Sequence, residues 1–323
     1  MTSGLTAALL AAATLAAFAS PAPAQGFPDR PVKVIVPTAP GGSIDTTART
    51  IADKMQAKWG RPVVVENRPG AAMRLGAEAV QKSPADGYTL LVAHDGTMAI
   101  NPLVFADLPY NPQKDFVPLG LVTAIPEALM VNVSVPAKSV IELIALAKKE
   151  PGQLTHASGG SATLLALELF KAMAGIDIRS IPYRGGAPAV TATIGGETGT
   201  IIADLTTGSP ALQSDRIRTL AVTSKERSRK YPNVPTLDEA GVPGYEVNTW
   251  IGFFAPAGTP NDVVSAIEAA IKDAVAMPDV RARLETTGAN MRTGSAEEMR
   301  QVLAVDVAKW AKLVKDKNIK LAP

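Results

Sequence analysis

The 323-residue chain has no cysteine and only two histidines, His94 and His156. Disulfides, thiol nucleophiles and thiolate metal sites are thereby excluded together. Two imidazoles cannot build a multi-histidine metal centre within one chain. Carboxylates remain available to a hard cation, but no Asp-rich loop of the calcium-binding spacing occurs, so neither metal nor cofactor is expected. An excess of one charge is also missing. Lys and Arg number 32 against 30 Asp and Glu, a formal charge of +2, and the basic residues form no stripe, which argues against nucleic acid as a partner. Nor does any apolar run reach the roughly 20 residues needed to cross a bilayer, so no direct membrane insertion is expected. What remains is ordinary globular composition, 46% hydrophobic and 19% charged, on a chain long enough for two lobes with separate cores.

Residues 1–24 differ from the rest. An uncharged apolar run over 5–19 leads into Ser20-Pro21-Ala22-Pro23-Ala24, with small residues placed for cleavage after Ala24. This is the pattern of a secretory signal peptide, although the usual Lys or Arg before the run is absent. An exported, periplasmic chain is expected.

The mature part opens on its most informative stretch. Val32, Val34, Ile35 and Val36 form a short β-branched run that Pro37 ends, the signature of a buried strand. The loop Thr38-Ala39-Pro40-Gly41-Gly42 follows, and Ser43 or Asp45 can cap a helix that buries Ile44, Ala48, Ile51, Ala52, Met55 and Trp59 before Gly60 stops it. Paired glycines let a ligand approach bare backbone, and an open helix start offers N–H groups and partial positive charge to an anion. The loop reads as a carboxylate holder. Strands at 63–66 and 88–92, with a helix between them at about 74–82, continue a parallel α/β pattern. The loop carrying His94, Gly96, Thr97 and Met98 falls at a strand's C-terminal end, where open α/β sheets bind ligands.

Two strand-like runs, 119–122 and 128–133 with Pro126 between them, lead toward a second lobe. There the opening theme recurs as a strand at 154–157, the loop Ser158-Gly159-Gly160-Ser161 and a helix from Ala162 to the stop at Gly175. Tyr183 and Asp204 fall at strand ends facing the presumed cleft, equally suited to a ligand contact or a structural hydrogen bond. An extended stretch at 247–255 crosses back, and helices without intervening strands then cover the first lobe, among them one opened by the Ser295/Glu298 capping box. The first lobe is therefore discontinuous, 25–125 with 249–323, the second is 126–248, and two connections form a hinge.

At the level of motifs the chain resembles the Bug or TctC-type extracytoplasmic solute receptors of tripartite tricarboxylate transporters. The resemblance rests on Val36-Pro37 with Pro40-Gly41-Gly42 and Asp45, on Glu66-Asn67-Arg68-Pro69-Gly70-Ala71, on Asp86-Gly87-Tyr88-Thr89 and on Ile100-Asn101-Pro102. It continues through Pro182-Tyr183-Arg184-Gly185, Gly241-Val242-Pro243-Gly244 and Trp250-Ile251-Gly252 to the C-terminal region. It implies a two-lobed periplasmic binding fold of type II topology, each lobe a mostly parallel sheet flanked by helices with the ligand cleft between them. It further implies a monomer that delivers a small carboxylate to membrane transporter subunits without catalysis. In that family the carboxylate sits between the Pro-Gly-Gly loop and a Ser/Gly loop of the other lobe. Carried over, this designates Ala39, Pro40, Gly41, Gly42 and Ser43, and Ser158, Gly159, Gly160, Ser161 and Ala162. Three departures bear on specificity: Thr38 stands where many relatives have an aromatic residue, Met73-Arg74 occupies a turn usually made of smaller residues, and Leu164 sits near a frequent histidine.

Arg74 has three readings, as a solvated helix residue, as a partner of Asp95, or as a fork for a second carboxylate that would favour a dicarboxylate or an aromatic acid. Two rival functions remain. An exported serine hydrolase would use Ser43, yet Gly-Gly-Ser-x-x lacks the last glycine of a nucleophile elbow. A ligand-sensing subunit of a signalling system would use the same closing lobes.

Overall fold

The computed structural model describes residues 26–285, 288 and 293–320. The predicted signal peptide lies outside the described residues. Strand β1, Val32–Val36, is buried at every position but Lys33, as its β-branched sequence requires. Helix α1, Ser43–Trp59, buries Ile44, Ala48, Ile51, Ala52 and Met55, and Gly60 ends it in the left-handed conformation at φ 61°, as at many helix C-termini. Strand β2 is Val63–Asn67, α2 is Arg74–Gln81 and β3 is Thr89–His94. β1 pairs in parallel with both β2 and β3, the expected pattern.

Strand β4 departs from the two separate runs read in the sequence, because it is one strand, Phe116–Asn132. Proline has no N–H to give a ladder, and here none is needed. Up to Pro126, β4 pairs antiparallel with β9, Asn248–Pro256. From Glu127 onward it pairs antiparallel with β7, Thr200–Asp204, and with β8, Ile217–Val222. Pro126 falls where the strand changes partners, and its carbonyl accepts the Leu205 N–H. β5, Thr155–Ser158, lies between β7 and β6, Arg179–Pro182, parallel to both.

The result is a nine-stranded sheet in the order β2-β1-β3-β9-β4-β7-β5-β6, with β8 on β4. Its outer strands are parallel and its two crossing strands supply the antiparallel pairs. Helices α3 (Val140–Lys149), α4 (Ser161–Ala174) and α5 (Gly186–Gly195) belong to the β5–β7 half. α6 (Asn261–Ala276), α7 (Pro278–Glu285) and α8 (Ala296–Lys317) follow β9, with α6 against α1 and α8 along β4. The Ser295/Glu298 capping box that opens α8 is complete.

The buried apolar residues divide by face of the sheet rather than by half. Ile35, Leu91, Leu129, Val131 and Phe170 belong to one cluster, while Val34, Val36, Leu90, Ala128 and Met130 belong to the other. The period-2 alternation of strands produces this division, and the continuous β4 carries both clusters across the molecule.

Thr223, fully buried, stitches the crossing point. Its hydroxyl accepts the Glu127 N–H at 2.9 Å and donates to the Val247 carbonyl at 2.7 Å, and its backbone bonds both segments as well. Replacing it by the isosteric valine strands a buried N–H, which typically costs about 1–3 kcal/mol. Thr223→Val is expected to lower unfolding stability by that amount in urea titrations. A loss below about 0.5 kcal/mol, the range of ordinary surface substitutions, would show that the stitch is dispensable.

Candidate functional site

Three helix starts meet between the two halves of the sheet. α1 follows Gly42, α4 follows Gly160 and α5 follows Gly185, and none of these N-cap residues supplies a side-chain cap. Each N-cap region carries a Gly-Gly pair: Gly41-Gly42, Gly159-Gly160 and Gly185-Gly186. The reason is steric. A Cβ on Gly159 would come within 2.6 Å of the Gly186 nitrogen, and one on Gly160, where φ is +155°, within 2.6 Å of Met73 Cε. Small residues let the helix starts approach one another and leave N–H groups bare.

Around these starts lies a cleft with a cavity volume of about 40 Å³. Of the residues expected from the sequence, Thr38, Ala39, Gly42, Ser43, Met73, Gly159, Gly160, Ala162 and Asp204 line it. Pro40 and Gly41 lie at the exposed tip of the first loop, where Asp45 accepts the Gly41 N–H at 3.0 Å. Asp45 therefore braces the loop rather than capping α1. Burial raises its pKa, but bonds from Arg49, Gly41 and Asn67 outweigh that and hold it below the usual carboxylate range.

The remaining expected residues stand behind the wall. The Ser158 hydroxyl pairs with that of Ser180. The Ser161 hydroxyl spans the halves, donating to Asn101 Oδ1 at 2.6 Å, with the Gly96 carbonyl at 3.2 Å. Thr97 is fully buried and its carbonyl accepts the Tyr110 hydroxyl. Tyr183 lines an adjoining pocket with Gly70, Met73 and Gly185. Arg74 lies away from both cavities. Its guanidinium stacks 4.3 Å from the Phe105 ring centroid and its Nε donates to the Ala71 carbonyl.

Lining residues that sequence reasoning missed are Ile44, His94, Glu127, Thr163, Gly186, Ala187, Ala203, Thr207 and Thr249. The α5 start carried a readable signal, a third Gly-Gly followed by Pro188. Glu127 carried another, as an acid inside an apolar strand. The halves also bond directly across the cleft, since the Ser43 N–H donates to Thr207 Oγ1 and the Ser43 hydroxyl to Asp204 Oδ2, both at 2.9 Å. That bond commits the Ser43 hydroxyl to a carboxylate rather than to an imidazole base.

Burial dominates the electrostatics. It pushes Asp204 above its ordinary pKa despite bonds from Thr207, Ser43 and Thr206. The same cause lowers His94 to about 4, so the ring is neutral, with Nδ1 accepting the Thr97 N–H. Glu127 is raised to about 7 by burial, partly offset by the Thr249 bond and reinforced by Asp204. Its Oε1 accepts the Thr249 hydroxyl at 2.8 Å, whereas Oε2 is buried without a partner, as is Thr38 Oγ1. Among the described residues no cluster of His, Asp and Glu suits a metal ion, and no helix is long and apolar enough to cross a membrane.

One sheet whose two halves present helix starts to a shared cleft has the architecture of a ligand-binding receptor. Residues 47–319 match the family described as the tripartite tricarboxylate transporter family receptor, TctC, and the chain belongs to that family of solute-binding receptors. It is similar to BugT of Bordetella pertussis, with 34% identity covering 95% of each chain. Among solved structures it is similar to an R. palustris protein determined with adipate, at TM-score 0.88 and 34% identity over 91% of this chain and 99% of that one. It is likewise similar to MatC from Rhodopseudomonas palustris with bound malate, at TM-score 0.86 and 33% identity over 89% and 100%.

The raised pKa of Glu127 fixes the sign of a pH effect. A carboxyl whose folded pKa exceeds its unfolded value holds its proton in the folded state, so stability falls as pH rises from the ordinary carboxyl range through about 7. Between about pH 5 and about pH 8 the wild type is expected to lose more stability than Glu127→Gln, followed by denaturant titration at each pH. Parallel profiles would place the Glu127 titration elsewhere.

Proposed function

We propose that this protein is a periplasmic receptor, exported by its N-terminal signal peptide, that captures a small organic carboxylate and delivers it to the membrane subunits of a tripartite tricarboxylate-type transporter. Two lobes, 25–125 with 249–323 and 126–248, close on the acid as a monomer, turning about the crossing segments at Pro126 and Val247. The observation that carries this reading is the convergence of three helix starts, from both halves and each with a glycine N-cap that supplies no capping side chain, on one cleft. Backbone N–H groups in the first turns of α1, α4 and α5, around Ile44, Ala162 and Ala187, bind the carboxylate, and the hydroxyl of Thr38, which has no partner within the chain, completes its shell.

Magnitudes require closure. One helix start contributes roughly 0.3–1 kcal/mol to an anion, about 2 when partly buried, whereas micromolar binding needs about 8. Three starts supply at most about 6 on that scale. Direct hydrogen bonds in a desolvated site supply the rest as the lobes shut. The R. palustris protein solved with adipate and MatC with malate support a carboxylate as the ligand class.

Stripped, purified protein is expected to rise in melting temperature with at least one acid from a panel of mono-, di- and tricarboxylates, amino acids and aromatic acids, since a ligand that binds only the folded state stabilises it. Gly159→Ala, which spreads the α4 and α5 starts, is expected to diminish that shift. If no acid raises the melting temperature, the receptor reading falls.

A further inference from the structure

The cleft that gathers partial positive charge from helix starts also contains acids, and its lining includes no Lys or Arg. Asp204 has both oxygens engaged: Oδ1 accepts the N–H groups of Thr206 and Thr207, and Oδ2 accepts the Ser43 hydroxyl. Glu127 is different. It lines the cleft where β4 changes partners, it is 1% exposed, and one carboxyl oxygen has no hydrogen-bond partner. Buried carboxyl oxygens are ordinarily paired, so the free Oε2 marks a position for a ligand group, a donor once Glu127 is ionised.

We infer that the site takes a zwitterionic amino-carboxylate, whose carboxylate lies at the helix starts around Ile44, Ala162 and Ala187 and whose ammonium group is held by Glu127. This rests on the carboxylate-receptor reading and adds to it the chemistry of the ligand's other group. An ammonium brings three donors and no acceptor, matching a free carboxylate oxygen in a wall without cationic side chains. A dicarboxylate presents a second anion to the same wall, beside Glu127 and Asp204, while Arg74, the cation that might have met it, is turned onto Phe105. The other groups around Glu127 leave its role unchanged. His94 is neutral, Asp204 raises the cost of its charge, and Lys309 acts weakly in the opposite sense. With its own pKa near 7, Glu127 ionises readily once an ammonium arrives, because an opposite charge at contact favours the charged form. The position also couples recognition to closure, since Glu127 is bonded through Thr249 and Thr223 to both crossing segments.

The test is isothermal titration calorimetry on the stripped full chain at neutral pH. The probes are α-amino and ω-amino acids of two to five carbons, each compared with the dicarboxylate and the methyl-terminated monocarboxylate of matching length. At least one amino acid is expected to bind tenfold or more tightly than both of its counterparts. Glu127→Gln, which keeps the acceptor for Thr249, is expected to erase that preference, read as the ratio of amino-acid to monocarboxylate affinity within the same variant. The inference is overturned if a dicarboxylate or monocarboxylate binds as tightly as every amino acid, or if the preference survives Glu127→Gln. Binding of plain acids with no gain from the amino group sinks this inference alone, whereas no binding by any acid sinks the receptor reading with it. Should Glu127→Gln fail to fold, the wild-type ratios still decide.

Discussion

Everything in this molecule depends on one strand serving two neighbourhoods. β4 pairs with β9 as far as Pro126 and with β7 and β8 from Glu127, so both halves hang from a single backbone. A strand must satisfy its N–H and C=O groups along its whole length. A residue with no N–H is least costly where the ladder is handed from one partner to another, and Pro126 sits there. Thr223 closes the remaining gap, satisfying Glu127 and Val247 together. The crossing region is thus tied together by backbone and side-chain bonds among Glu127, Thr223 and Val247.

The same geometry explains why a cleft forms. Parallel strands on each side of the crossing pair end in turns that open helices, and the three Gly-Gly turns bring the first turns of α1, α4 and α5 to one place. No side chain carries a positive charge there. What the cleft presents to a ligand is oriented peptide groups rather than cationic side chains. Asp45 contributes indirectly, holding the first loop through Gly41, Asn67 and Arg49.

Acids in an anion site look like a contradiction until their partners are counted. Asp204 joins Thr206 and Thr207 of its own half to Ser43 of the other. Glu127 serves no such purpose with its second oxygen. An unpaired buried acceptor is costly in isolation, and it persists where a ligand supplies the missing donor. Specificity in this cleft then comes from what the wall lacks as much as from what the helix starts attract.

Local patterns in the chain were enough for the α/β class, the strand–Gly-Gly–helix units at 32–59 and 154–175, and the exclusion of thiol and multi-histidine metal chemistry. These follow from residue type and spacing, because periodicity, glycine freedom and missing ligands act over a few neighbouring residues. Thr38, Ala39, Gly42 and Ser43 of the first loop and Gly159, Gly160 and Ala162 of the second line the cleft. The fusion of two runs into β4, the division of the core by sheet face, the convergence of the third helix start on the cleft and the turning of Arg74 onto Phe105 belong to the tertiary structure alone. Each depends on which distant segment lies alongside, such as Thr249 and Thr223 beside Glu127, and no short-range pattern encodes a neighbour about a hundred residues away.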